Sequence, residues 1–97
     1  MSMIAKRLKE ARLRAGLSQE RLGVLAGIDE MSSSARMNQY ERGKHLPDFS
    51  VVERIAEVLE LPAAYFYAED DLTAEMLELF HPMTDAQKKR VLKGLKG

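Results

Sequence analysis

The chain of 97 residues is 45% apolar and 31% charged, which fits one small domain whose core buries roughly 60–65% of the unfolded surface. Because the sequence has no Cys, disulfide scaffolds, thiolate zinc sites and cysteine catalysis are excluded. No apolar run approaches the roughly 20 residues that span a bilayer, and the charged start lacks a secretory core, so we expect a cytoplasmic protein. The net charge is zero, but nine Lys or Arg stand against five Asp or Glu in residues 1–47, one against nine in residues 48–81, and five against one in residues 82–97. A basic first half favours a polyanionic partner.

Two short helices are predicted at the start of the chain. The first spans about residues 2–15, because apolar side chains recur one turn apart, and Gly16 would end it. The second spans about residues 18–26, with Ser18 as its N-cap and Gly27 after its end. The apolar residues expected to face the core from these helices are Ile4, Leu8, Ala11, Leu22 and Leu25.

A loop and a third helix come next. Residues 28–34 are mostly small and polar, which predicts a loop with several side chains able to cap the next helix. The third helix is predicted over about residues 34–42, with Met37 and Tyr40 facing inward and Gly43 after its end. Two short helices joined by a turn leave one face of the second helix exposed, and that helix is narrow enough to enter a DNA major groove.

The pattern remains helical after the third helix. A capping-box sequence that begins at Ser50 predicts the start of a fourth helix, which runs to about residue 60 with Ile55 and Leu59 facing inward. A fifth short helix carries two aromatic residues, Tyr65 and Phe66. With no convincing strand pattern, the predicted fold class is all-α, a compact domain of four to five helices.

A two-helix tail is predicted at the C-terminal end. The acidic residues 69–71 mark a boundary, which divides the chain into a domain over residues 1–71 and a tail over residues 72–97. The tail helices are predicted over about residues 73–80 and 85–95, both are amphipathic, and a capping-box sequence from Thr84 to Gln87 opens the second. The apolar residues of the tail are Leu72, Met76, Leu77, Leu79, Phe80, Met83, Val91, Leu92 and Leu95. So much apolar surface must pack on the domain, on a second copy or on another protein.

Roughly residues 4–67 resemble the phage-repressor type of helix-turn-helix domain, the XRE-type family that includes Cro and the lambdoid repressors. The resemblance is carried by Leu17-Ser18-Gln19, Ala26-Gly27 and Tyr40-Glu41-Arg42-Gly43-Lys44 ahead of Pro47. It implies a repressor-like domain that binds double-stranded DNA with the third helix as its recognition helix. Thirteen steps separate Gly27 from Tyr40 where the family usually has about nine, and we place the additional residues in the turn, where length costs little.

The resemblance also implies which residues contact DNA. The positions that match base-reading residues are Ser34, Ala35, Arg36 and Gln39. Arg36 has the fork that suits guanine, whereas Gln39 suits adenine. The positions that match phosphate contacts are Gln19, Ser33, Asn38, Arg42 and Lys44. Arg12 and Glu41 match an ion pair that ties the first helix to the third.

Each of these assignments has a structural alternative. The polar side chains of the third helix form an ordinary solvated face in the alternative interpretation, and Ser33 or Ser34 serves only as a helix cap. Arg42 and Lys44 have a dipole role at a helix end. The basic residues of the first helix either reach the DNA backbone or form a solvated face, and these are Lys6, Arg7, Lys9, Arg12 and Arg14.

The function predicted from the resemblance is a transcriptional regulator, and we favour a repressor. A single recognition helix contacts few base pairs, so the expected form is a homodimer on a near-palindromic operator, with the tail as a candidate dimer contact or partner surface. The alternative is a protein-interaction module or antitoxin of the same fold. We predict no cofactor, no metal and no enzymatic activity, since His45 and His81 lack spaced acidic or thiolate partners and no phosphate loop or nucleophile elbow is found.

Overall fold

The computed structural model describes residues 3–97, and every regular element within that range is a helix. The helices are α1 (Met3–Arg14), α2 (Gln19–Leu25), α3 (Glu30–Glu41), α4 (Phe49–Leu59), α5 (Ala64–Tyr67), α6 (Asp71–Phe80) and α7 (Asp85–Lys96). The predicted all-α class is therefore confirmed.

Several predicted helix ends are found where the local sequence places them. The Ser18 hydroxyl accepts a hydrogen bond from the Arg21 N–H at 3.0 Å and caps α2. The Thr84 and Gln87 side chains each bond to the other's backbone N–H, which completes a capping box at α7. Gly27 has a φ of +88°, the left-handed conformation that ends a helix and favours Gly.

The predicted start of α4 at Ser50 is wrong. The helix begins at Phe49, and Asp48 is its N-cap residue although its side chain makes no capping bond. The extended backbone of Asp48 already directs its carbonyl to the N–H groups of Val51 and Val52, both at 3.0 Å. Ser50 therefore lies inside the first turn.

The predicted loop before α3 and the placement of the additional residues in it are also wrong. α3 begins at Glu30, one turn before Ser34, with the Asp29 carboxylate accepting the Met31 N–H at 3.1 Å. The additional residues therefore lengthen the helix at its N-terminal end. Because the extension precedes Met37 and Tyr40, their inward register is unchanged, and both are buried.

The core lies between the first five helices. Leu8, Leu22, Met37, Ile55 and Phe66 each expose 2% or less of their surface and form one apolar cluster. The placement of Leu25 in the core is wrong, because that side chain is 45% exposed. The seven-residue α2 turns Leu22 and Gly23 inward instead, and Ala26 follows them into the core.

The two tail helices differ in their relation to this core. In α6, Ala74 is buried and Leu77 packs against the apolar cluster, so α6 is attached to the first five helices. No residue of α7 is buried. The described chain measures 50 × 26 × 22 Å, an elongated shape in keeping with the weak packing of α7.

Candidate nucleic-acid interface

The pairing of α2 with α3 depends on Gly23, a residue absent from the predicted core and site residues. A Cβ atom at Gly23 would overlap Ser33 Oγ and lie 3.1 Å from Met37 Cγ. The two helices therefore meet backbone to side chain at this point. A Gly inside a short helix lowers helix stability by about 1 kcal/mol relative to Ala. Its presence within α2 is therefore the sequence signal that could have indicated a close approach of another helix.

Ser33 lies inside this contact. It has no exposed surface, and its hydroxyl donates a hydrogen bond to the Glu20 carbonyl at 2.8 Å. The hydroxyl is thus used within the protein, so the predicted phosphate contact of Ser33 and its alternative role as a helix cap are both wrong.

An ion pair joins the end of α3 to α1. Arg12 Nε and Nη2 donate to the two carboxylate oxygens of Glu41 at 2.5 and 3.0 Å, and Nη1 donates to the Leu17 carbonyl at 2.9 Å. The Glu41 side chain is only 3% exposed. The pKa of Arg12 is raised, chiefly by its hydrogen bonds to Glu41. The bidentate geometry fixes the orientation of α3 relative to α1.

The first turn of α2 is linked to the same carboxylate. Gln19 Nε2 donates to Glu41 Oε1 at 3.1 Å and to Asn38 Oδ1 at 3.4 Å. Gln19 and Asn38 are both half-buried. These bonds hold the N-terminus of α2 beside the outer part of α3, so the N–H groups at the start of α2 lie next to the exposed face of α3.

The outer face of α3 is exposed. All four residues predicted to read bases are exposed there, namely Ser34, Ala35, Arg36 and Gln39. Residues four, three and four positions apart share one side of a helix, and Met31, Ala35, Asn38 and Arg42 form such a row. We call this row the outer stripe. Within residues 3–97, no side-chain hydrogen bond or ion pair engages Arg36, Gln39 or Arg42.

The two flanks of the outer stripe have different neighbours. Asn38 lies on the side of Gln19, whereas Arg36 and Gln39 lie beside His45 and Leu46 in the segment after α3. Arg42 and Lys44 are exposed at the C-terminal end of α3. The result is a projecting helix face with cationic side chains on its flank and at its end.

The basic residues of α1 mainly serve the fold. Arg7 is 2% exposed, and it donates to the Ala68 carbonyl at 2.9 Å and to the Asp71 carboxylate at 3.1 Å. Lys6 Nζ lies 3.3 Å from Asp71 Oδ1, and Arg14 Nη1 lies 3.2 Å from Glu78 Oε1. Contact with the DNA backbone and a solvated face are therefore both wrong for Arg7, which is buried against Ala68 and Asp71, and for Arg12, which is buried in its pair with Glu41. The ion pairs of Lys6, Arg7 and Arg14 with α6 are not evident from the sequence, because 64 or 65 positions separate the partners.

Neither a membrane-spanning helix nor a metal site is found in the part of the chain that the structure describes. No helix there is long and apolar enough to cross a membrane. No group of three or more His, Cys, Asp or Glu side chains there is arranged to hold a metal ion.

Comparison with known proteins identifies the family. The sequence model of a family described as "Helix-turn-helix domain" matches residues 4–65, which include nearly all of α1, the whole of α2 to α4 and the first half of α5. The chain is 45% identical to a protein of solved crystal structure, the transcriptional regulator BswR, with a TM-score of 0.87 over 99% of this chain and 93% of that chain. Among curated proteins no sequence matches. The chain belongs to the helix-turn-helix family of DNA-binding transcriptional regulators.

Proposed function

We propose that the chain is a cytoplasmic repressor of the phage-repressor type that recognises a specific DNA sequence with α3. The observation that carries this proposal is the exposed outer face of α3, where the side chains of Arg36, Gln39 and Arg42 are unpaired within residues 3–97, while the opposite face is fixed by Gly23 and by the Arg12–Glu41 ion pair. A helix held rigidly from behind enters a major groove without first having to be ordered. Occupation of an operator would then exclude polymerase, with no catalytic step.

The proposed contacts divide into two classes. The base-reading residues are Ser34, Ala35, Arg36 and Gln39, and the phosphate contacts are Gln19, Asn38, Arg42 and Lys44. The buried Ser33 is left out of this set. Both N–H groups of the Gln19 side-chain amide already donate to Glu41 and Asn38, so its proposed phosphate contact would be made by its backbone N–H at the start of α2.

We further propose a homodimer on a near-palindromic operator, with a second copy of this chain on the tail. Exposed apolar side chains support this interface, namely Leu72, Met76, Leu79, Leu92 and Leu95. Two recognition helices would then lie about 34–36 Å apart, one turn of DNA. We choose a second copy as the partner because a homodimer has two-fold symmetry, which matches the symmetry of a near-palindromic operator.

Substitutions on α7 test the dimer without removing α6, which is attached to the core. Leu92→Glu with Leu95→Glu should shift the full chain from dimer to monomer in sedimentation equilibrium, because charges would be buried at the interface. Lys93→Glu is a matched control on the same helix. A double variant that dimerises as strongly as the unaltered chain would place the interface elsewhere.

The second candidate function is a protein-interaction module or antitoxin. It is favoured by the net negative charge of residues 48–81 and by the exposed apolar side chains of the tail. A salt titration separates the two candidates. For each phosphate contact, the logarithm of the DNA affinity falls against the logarithm of the salt concentration with a slope of about −0.9, whereas the affinity for a protein bound through apolar contacts hardly changes with salt. A DNA affinity that does not change with salt concentration would favour the protein partner.

Selection of bound sequences from a random duplex pool tests sequence recognition itself. At two salt concentrations the full chain should enrich one two-fold motif. Arg36→Ala should lose preference at one base position per half-site, by about 1–3 kcal/mol, and keep the others. Enrichment of no motif would contradict the proposal.

A further inference from the structure

The most exposed large apolar side chain in the described part of the chain belongs to the recognition helix. Met31 is 93% exposed and lies in the additional first turn of α3. Its backbone N–H is bonded to the Asp29 carboxylate, so the residue is held in a capped helix. An apolar side chain fixed in water at this position serves neither the core nor the helix cap.

The position of Met31 relates it to the proposed DNA surface. It is the first residue of the outer stripe, four positions before Ala35, and thus on the same side of α3. At 1.5 Å of rise per residue, Met31 lies about 6 Å beyond Ala35 along the helix axis. That distance is about two base steps, so Met31 would reach past the bases that Ala35 faces.

The charges around Met31 argue against a phosphate in its place. Asp29 and Glu30 are exposed carboxylates at the same end of α3, and two negative charges repel a phosphate group. The start of the helix therefore fits over base edges better than over the backbone. In the major groove, the only apolar group on a standard base is the C5 methyl of thymine.

We infer that Met31 contacts the C5 methyl of a thymine at the end of each half-site that the N-terminus of α3 reaches. The inference rests on the proposed function. The thioether chain is flexible and polarisable, and it would cover the methyl group as it covers irregular apolar surfaces elsewhere. Met31 and Ala35 make the N-terminal half of the outer stripe apolar, ahead of Asn38 and Arg42.

Removal of single methyl groups from the DNA tests the inference. Each thymine of the pool-selected operator is replaced in turn by deoxyuridine, which lacks only that methyl, and the dissociation constant of the full chain is measured. One position per half-site should weaken binding about four-fold, the effect of one buried methyl group. The thymine·adenine pair at that position can also be replaced by a cytosine·guanine pair. The chain should then bind the duplex with 5-methylcytosine more tightly than the duplex with cytosine.

The Met31→Ala variant assigns the effect to the side chain. Because Met31 is exposed and Ala is a good helix former, the variant should fold as the unaltered chain does, which thermal unfolding checks. It should bind thymine DNA about four-fold more weakly per half-site and show no further loss with deoxyuridine there. Leu13→Ala, at an exposed apolar position on α1 outside the proposed DNA and dimer surfaces, is the matched control and should change neither affinity nor methyl dependence.

The outcomes separate this inference from the proposed function. If the chain enriches a motif but no thymine shows methyl dependence, or if Met31→Ala keeps the full dependence, the inference is overturned while sequence recognition stands. If the unaltered chain binds no DNA sequence preferentially, both are overturned.

Discussion

At the scale of single residues, the orientation of α3 depends on side chains with almost no exposed surface. Glu41 accepts hydrogen bonds from Arg12 and from Gln19, so one carboxylate connects three helices. Gly23 and Ser33 bring α2 and α3 together on the other side. Apart from Gln19, none of these residues faces the proposed DNA surface, yet together they determine which side chains of α3 do.

Replacement of Glu41 by Ala should reduce folding stability and DNA affinity together. The variant leaves Arg12 without its buried partner, which should lower the free energy of unfolding by about 2–4 kcal/mol. Gln19 also loses the bond that holds the start of α2 against α3, so the proposed DNA surface is less well ordered. Urea unfolding and operator binding measure the two effects, with the exposed Glu69→Ala as a control expected within about 0.5 kcal/mol of the unaltered chain. A fully stable Glu41→Ala variant with weak binding would indicate a surface role for Glu41 instead.

Replacement of Gly23 by Ala should destabilise the chain although Ala is the better helix former. Overlap with Ser33 Oγ outweighs the propensity gain, for a net loss of about 1–2 kcal/mol in the free energy of unfolding. Combining it with Ser33→Ala should recover part of that loss, because the overlapping atom is gone. Chemical unfolding of both single variants and the double variant forms the cycle. Strict additivity would show that the two residues do not meet as described.

At the scale of helices, the sequence was most informative where a cap acts locally. Ser18 and Thr84 each bond to a backbone N–H three residues on, and both caps were predicted correctly. Local sequence did not distinguish Asp29 from Ser34 as the start of α3. Burial of Ile28 and the bond of Ser33 to α2 favour the longer helix, and both depend on packing that a local pattern does not contain.

The same distinction applies to the candidate site. The Arg12–Glu41 ion pair followed from the resemblance to phage repressors and is present in the structure. The role of Arg7 did not follow, because its partners lie more than 60 positions away and no family motif names them. The DNA contacts themselves stay predictions.

The C-terminal end of α4 offers a stabilising substitution. Glu60 has a φ of +57° and is the only non-Gly residue with positive φ in the described chain. Glu60→Gly should raise the free energy of unfolding by about 0.5–1 kcal/mol, because Gly adopts this conformation without the penalty of a Cβ atom. Glu57→Gly, inside the same helix, should lower it by about 1 kcal/mol. Thermal unfolding compares the two, and a destabilised Glu60→Gly variant would contradict the assigned cap.

At the scale of the whole molecule, charged contacts attach α6 to the domain while α7 extends away. The pKa of Asp71 is lowered, first by the hydrogen bond from Lys6 and then by that from Arg7. The pKa of Asp70 is lowered by hydrogen bonds from the backbone and hydroxyl of Thr73. Both carboxylates are therefore more acidic in the folded chain than in the unfolded one.

The attachment of α6 should weaken in acid. A carboxylate with a lowered pKa in the folded state contributes stability above its unfolded pKa, near 3.9, and that contribution is lost as pH falls below about 5. In urea unfolding, the Asp71→Asn variant should be less stable than the unaltered chain at pH 7, with the difference narrowing toward pH 3. Asp85→Asn on α7 is the control and should keep the unaltered profile. An Asp71→Asn difference that is constant with pH would contradict this account.

The most direct test of the central claim, that the outer face of α3 contacts DNA, is a titration of the isotope-labelled full chain with its selected duplex, followed by amide chemical shifts. The account predicts the largest changes in residues 31–44 and at Gln19, with smaller changes in α7. Changes concentrated in α6 and α7, with the amides of α3 unaffected at saturation, would contradict it.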